Sequence, residues 1–155
     1  MNTVLFILLL VLIDQGSKIA MKAINGIHPE SFVVIKDFFY ITYAENTGAA
    51  FSILRGQRWL FVLMALVACA AIVYHIIKHK PKSLEKFSLQ LILAGAIGNV
   101  IDRVIYGYVI DFLDFYIFGY DFPVFNFADS FITVGAVLFI LYELFSVEKG
   151  SLWKK

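Results

Sequence analysis

The sequence predicts an all-α membrane protein, with four transmembrane helices and a small β-rich segment on the extracytoplasmic side, folded as one domain over residues 1–155. Three observations carry that prediction. The first is composition: 61% of the 155 residues are hydrophobic and 16% charged, with a mean hydropathy of +0.82. Soluble domains lie nearer half apolar and a quarter charged, and a chain this short buries too modest a share of its surface to hide the excess. The second is that four apolar stretches reach the roughly 20 residues needed to cross a bilayer. The third is an uneven distribution of Lys and Arg among the connections, which gives the stretches a direction. The same composition excludes several chemistries. Cys69 alone makes no intrachain disulfide and no thiolate zinc cluster. His28, His75 and His79 form no HExxH site. A net charge of +1 argues against nucleic acid as a partner.

The first span is placed at about residues 2–23, interrupted by Asp14, Gln15 and Lys18. Its apolar run is short enough for a cleaved leader, but no Lys or Arg precedes it and no small-residue cleavage site follows, so it is read as a retained span. Residues 28–55 form a connection whose stretch SFVVIKDFFYITYAE is rich in β-branched and aromatic residues. His28-Pro29 and Asn46-Thr47-Gly48 bound it as turn signals, which predicts two to four short strands. Open strand edges are not tolerated in hydrocarbon, so these strands are expected on the outer membrane surface, at the interface or covered by protein. The second span, about 59–77, is uninterrupted. The link KHKPKSLEK follows, with Lys78, Lys80, Lys82 and Lys86. The third span, about 84–106, carries Asn99, Asp102 and Arg103 near its far end, and the fourth covers about 128–147. The lysine-rich link and the tail with Lys149, Lys154 and Lys155 put that link and both termini in the cytoplasm. Residues 24–58 and 107–127 then face outward.

An ionisable residue inside a span is costly and marks a functional site by default. Here such residues gather toward the outer side. Asp14 and Lys18 are four apart on one helix face and read either as an ion pair fastening the first span to the bundle or as a substrate contact. ENTGAAFS, Glu45 to Ser52, reads either as a turn or as a site where the Asn46 amide meets a bound peptide. In GNVIDR, Gly98 permits close helix packing. Asp102 and Arg103 diverge by about 100° around the helix, so each is expected to have its own partner. Asp111 and Asp129 both sit among apolar and aromatic residues. Two carboxyls forced together share a proton and supply an acid and a base. The plainer reading makes Asp129 a helix N-cap and leaves Asp111 in solvent.

Two rival functions use the same residues. Asp102, Asp111, Asp114 and Asp129 invite a divalent metal and phosphoryl transfer, although the neighbourhood offers no basic residue beyond Arg103 to receive phosphates. A small proton-coupled carrier would use Asp14 and Asp102 as relays. Carrier sites lie near the midplane between repeats, and no repeat is visible.

The ordered boxes DQGSK, ENTGAAFS, GAIGNVIDR, GYVIDFLDF and FNFADS cover almost the whole chain. In that order, and with four spans, they resemble the bacterial lipoprotein signal peptidases, or signal peptidase II. The resemblance implies a membrane-embedded aspartic endopeptidase of the bacterial cytoplasmic (inner) membrane. It implies cleavage of diacylglyceryl-modified prolipoproteins just before the lipidated cysteine, inhibition by globomycin-type peptides, contact with membrane lipid, and no metal or organic cofactor. Asp111 and Asp129 match the catalytic dyad. Asn46, Asn99, Arg103 and Asn126 match substrate-binding positions, and Asp14, Lys18, Gly48 and Asp102 match supporting polar positions. The implied fold is a four-helix bundle with an extracytoplasmic β-cradle. YIFGYDFP is read as a loop of variable length.

Overall fold

A computed structural model describes residues 2–48, 54–81 and 83–152. Ala49 to Ser52 of the ENTGAAFS box, together with Lys82, Lys154 and Lys155, lie outside the described residues. Four helices, α1 (Thr3–Ile27), α2 (Arg58–His79), α3 (Ser83–Ile105) and α4 (Phe127–Leu152), alternate with four strands, β1 (Phe32–Ile35), β2 (Phe39–Asn46), β3 (Val109–Ile117) and β4 (Tyr120–Asp121). All four helices are long and apolar enough to span a bilayer. The helices begin and end within a few residues of the expected spans, apart from two extensions at C-terminal ends. α1 continues to Ile27, where the His28 N–H closes the last turn on the Ile24 carbonyl at 2.8 Å. α4 continues to Leu152.

Helix α3 is central. Of its span, 61% is buried, against 6–22% for the others, and it packs on α1, α2 and α4. The approach to α4 is close because both sides are small at the contact. A methyl added at Gly135 would lie 2.7 Å from the Ser88 carbonyl oxygen and 2.8 Å from Ile92 Cγ1, and one at Gly95 would strike the Ala128 carbonyl. Small residues at a crossing let backbones approach without a hydrophobic drive in lipid. The remaining helix surfaces carry exposed Leu, Val, Ile and Phe, as lipid-facing surfaces do.

The strands form one antiparallel sheet in the order β1-β2-β3-β4. Only β1 and β2 come from the segment where strands are expected. β3 and β4 come from residues 107–127, and YIFGYDFP is a β3–β4 hairpin rather than a loop. Its turn places Phe118 (φ 51°) and Gly119 (φ 79°) in left-handed backbone, the requirement of a two-residue hairpin turn. The β2–β3 register pairs Ala44 with Asp111 and Asn46 with Val109, with a shift between Ile41 and Ala44. That register carries Asp111 to the end of the ENTG turn. Gly107 (φ 90°) ends α3, its N–H closing on the Arg103 carbonyl at 3.1 Å, so β3 begins immediately beside the polar end of α3.

Candidate active site

A cavity of about 650 Å³ opens between the sheet and the adjoining ends of α3 and α4, lined by Asn46, Gly48, Asn99, Arg103, Asp111 and Asp129 among others. Three acidic residues line it, Glu45 at the end of β2 and two buried deeper, Asp111 from β3 and Asp129 from the first turn of α4. The amides around the two aspartates occupy all four of their carboxylate oxygens. Asp111 Oδ1 accepts from Asn126 Nδ2 at 2.6 Å and Oδ2 from Asn46 Nδ2 at 3.1 Å. Asp129 Oδ1 accepts from Asn99 Nδ2 at 2.7 Å and Oδ2 from the Asn126 backbone N–H at 3.3 Å.

The start of α4 corrects one expectation. Asn126, not Asp129, is the N-cap: its side-chain oxygen accepts from the Asp129 N–H at 2.9 Å while Asp129 reaches back to the Asn126 N–H. This is the reciprocal capping box, with Asp at the third helical position in place of the usual Glu. Asn126 thereby uses one end of its amide to start the helix and the other to hold Asp111. Nor is Asp111 solvated: it is 2% exposed. Burial pushes its carboxyl up to about 7, and the nearby Asp129 carboxylate pushes the same way. The Asn46 and Asn126 hydrogen bonds and the Lys18 charge pull it back down.

Beneath the cavity lies a buried ionic cluster. Lys18 Nζ lies 2.9 Å from Asp14 Oδ2 and 3.0 Å from Asp102 Oδ2, and donates to Asn99 Oδ1 at 3.0 Å. An ammonium has three donors and no acceptor, and here all three are used. Asp14 Oδ1 in turn accepts from the Ala128 N–H at 2.9 Å, and Asp102 Oδ2 from the Ile110 N–H at 3.1 Å. The cluster therefore fastens α1 to α3, the start of α4 and the residue before Asp111. Asp102 and Arg103 do have separate partners. Arg103 Nη2 donates to the Gly48 carbonyl at 2.9 Å, tying α3 to the turn that carries Asn46, and its guanidinium lies 4.9 Å from the Phe61 ring centroid. Gly48 closes that turn by donating its N–H to Asn46 Oδ1 at 3.0 Å.

Two residues are not expected at the site from the sequence. Gln15 Nε2 donates to Asp102 Oδ1 at 2.9 Å and to the Gly98 carbonyl at 3.1 Å, and the one available signal was its place beside Asp14 inside a span. Arg55 lines the cavity with Arg103, so the expectation of a single basic residue there was wrong. The four acids proposed for a metal are separated: Asp102 is bound to Lys18, Asp114 belongs to a different pocket, and only Asp111 and Asp129 face the cavity. Among the described residues no group of three His, Cys, Asp or Glu is placed to hold a metal.

Residues 6–145 match the family described as Signal peptidase (SPase) II. The chain is 48% identical over 148 residues to the lipoprotein signal peptidase of Cupriavidus pinatubonensis, covering 93% of this chain and 83% of that protein. It is 42% identical over 136 residues to the lipoprotein signal peptidase of Halothermothrix orenii, covering 88% and 90%. A bacterial membrane enzyme solved by the in meso method at 2.3 Å resolution superposes with a TM-score of 0.86 at 38% identity, over 99% of this chain and 91% of that one. Family match, relatives and fold agree along nearly the whole length, and the chain belongs to the signal peptidase II family.

Proposed function

We propose that the protein is an aspartic endopeptidase of the bacterial cytoplasmic membrane, removing signal peptides from diacylglyceryl-modified prolipoproteins by cutting just before the lipidated cysteine. The observation that carries the aspartic reading is that Asp111 and Asp129 approach one cavity from separate elements, each held by asparagine amides. In this reading the signal helix lies along the spans, the lipid stays in the bilayer, and the scissile peptide enters in extended form between the carboxyls. The pair shares one proton. The ionised member takes a proton from water, and that water attacks the carbonyl. The protonated member steadies the oxyanion with a hydrogen bond, and the proton taken from water passes to the departing amine, which leaves the pair with one shared proton again. The pair titrates as a unit, so neither member is assigned base or acid alone. General acid–base transfer supplies about 10²–10⁴ of the acceleration, and positioning supplies more. Asn46, Asn99, Arg103 and Asn126 hold the peptide and the dyad, with Asp14, Lys18, Gly48 and Asp102 as their support. A globomycin-type peptide would compete for the same cavity. The direct test incubates purified protein with a diacylated prolipoprotein and its unlipidated twin. Cleavage of the lipidated chain alone is expected, and cleavage of neither sinks the proposal.

Arg103→Lys should lower turnover by about 10²-fold while leaving the melting temperature near wild type. The guanidinium clamps the Gly48 carbonyl beside the cavity. A point charge on a flexible stem cannot reproduce that planar fork, and a displacement of about 1 Å near the reacting atoms costs around 10²-fold. Parallel losses of turnover and melting temperature in one preparation would make Arg103 an anchor of the fold only.

In the same reading both termini and the lysine-rich α2–α3 link lie in the cytoplasm, with the sheet and cavity at the outer face, as the lysine asymmetry favours. An Asp121→Cys substitution in a Cys69→Ser background should react with an impermeant thiol reagent in intact cells lacking an outer barrier, whereas Lys80→Cys should react only after lysis. The reverse pattern would invert the topology.

A further inference from the structure

A second pocket, of about 520 Å³, lies on the sheet and shares no lining residue with the first; it is formed by Ser31, Asp37, Tyr40, Asp114, Tyr116 and Gly119. Its chemistry is one-sided. Two of the lining residues are acidic and none is basic. Asp114 is 7% exposed; its Oδ2 accepts from the Thr42 hydroxyl at 2.6 Å, and among the described residues its Oδ1 has no hydrogen-bond partner. Nor does Asp114 form an ion pair among them. A buried carboxylate without an opposite charge is expensive, so an organic cation seated beside it would be stabilised. The Tyr116 phenol feels the same field, pushed up first by Asp121 and then by Asp114. Tyr40 and Tyr116 stand edge to face with centroids 5.3 Å apart, giving the pocket aromatic walls. Carboxylate and aromatic rings together are a receptor for an organic cation.

The unmet Asp114 oxygen calls for an N–H donor, which a primary ammonium has and a quaternary one lacks, and the surroundings point to a lipid. Both turns that reach the pocket carry an exposed phenylalanine. Phe38 adjoins Asp37 and is 44% exposed, and Phe118 adjoins Gly119 and is fully exposed in left-handed backbone at its hairpin tip. Bulky residues rarely adopt that conformation, and a bare Phe at a tip suits an acyl chain rather than water. Lys36, exposed in the first of these turns, adds a positive charge for a phosphate beside the cation. We propose that this pocket binds the primary ammonium head group of a zwitterionic phospholipid, seating the sheet on the bilayer surface next to the spans.

The test uses full-length protein in mild detergent, mixed with dioleoyl phosphatidylethanolamine, phosphatidylglycerol or phosphatidylcholine, with retained lipid counted by native mass spectrometry. Wild type should retain phosphatidylethanolamine at least fivefold over phosphatidylglycerol, and Asp114→Asn should remove that preference. Tyr116→Ala should weaken retention and Tyr116→Phe preserve it, which keeps the test decisive if Asp114→Asn folds poorly. Prolipoprotein cleavage in detergent should be unchanged in both Tyr116 variants, so the outcome is separable from the peptidase reading. Equal retention of the three lipids by wild type, or an undiminished preference in Tyr116→Ala and Asp114→Asn, overturns the proposal. Displacement of nothing but a lysine-containing peptide, with no lipid preference, would reassign the pocket to a protein partner and overturn it equally.

Discussion

Asp111→Asn and Asp129→Asn should each reduce prolipoprotein cleavage by at least about 10³-fold, because a shared-proton pair that loses either member has no route for both transfers. The proteins should remain folded. Asp111 accepts from two side-chain amides, so an asparagine there turns its NH₂ toward one donor and costs about 1–3 kcal/mol for the mismatch. Against that cost, removing a carboxylate from a site that disfavours charge is a gain. The linkage follows from the direction of the shift. Burial pushes Asp111 up to about 7, well above its unfolded range, so its contribution to stability is fully present below about pH 4 and lost as pH rises through about 7. Asp111→Asn should flatten that decline. In wild type, cleavage should fall above about pH 7 as the shared proton leaves. Full turnover by either asparagine variant, or a wild-type rate still climbing at pH 9, would remove the dyad assignment.

The sequence made the bundle legible because apolar length is a local property, and it made the polar residues legible because they stand out against an apolar background. Pairing at a distance was harder to see. β3 reads as a continuous apolar run, VIDFLDFYI, with two aspartates and no clean alternation, since it is buried along most of its length. Its strand identity depends on β2, whose Ala44 lies opposite Asp111 across 67 residues of chain, and no turn signal announces that partnership. The α4 start failed differently. Asn126 and Asp129 are both good capping residues, three apart, and only geometry shows that each serves the other. Arg55 is not legible as a site residue because it sits beyond a turn in a segment read for strands, yet it lines the cavity. The ionic cluster lies between these extremes: the spacing of Asp14 and Lys18 gave the pair, but not the Asp102 carboxylate that completes it from α3.

Lys18→Met should be the most destabilising single substitution among the polar residues. Asp14 and Asp102 are both 0% exposed, and the ammonium is the cation that joins them. Removing one partner of a buried ionic group costs about 3–5 kcal/mol, since the remaining charges stay buried. Activity should fall as well, for a second reason. Lys18 can only donate, so it fixes the Asn99 oxygen toward itself and the Asn99 nitrogen toward Asp129. The two effects separate in the triple variant Lys18→Met, Asp14→Asn, Asp102→Asn, which removes the stranded charges along with the ammonium. Its melting temperature should recover most of the loss, as replacing a whole buried ionic group is often near neutral. Its turnover should stay at least about tenfold down, because the Asn99 oxygen then keeps only the longer bond from Asn126 Nδ2 at 3.3 Å, which holds the amide less firmly, and a misplaced group near the reacting atoms is costly. Recovery of both properties together would mean that Lys18 neutralises the cluster and leaves the dyad's amide alone.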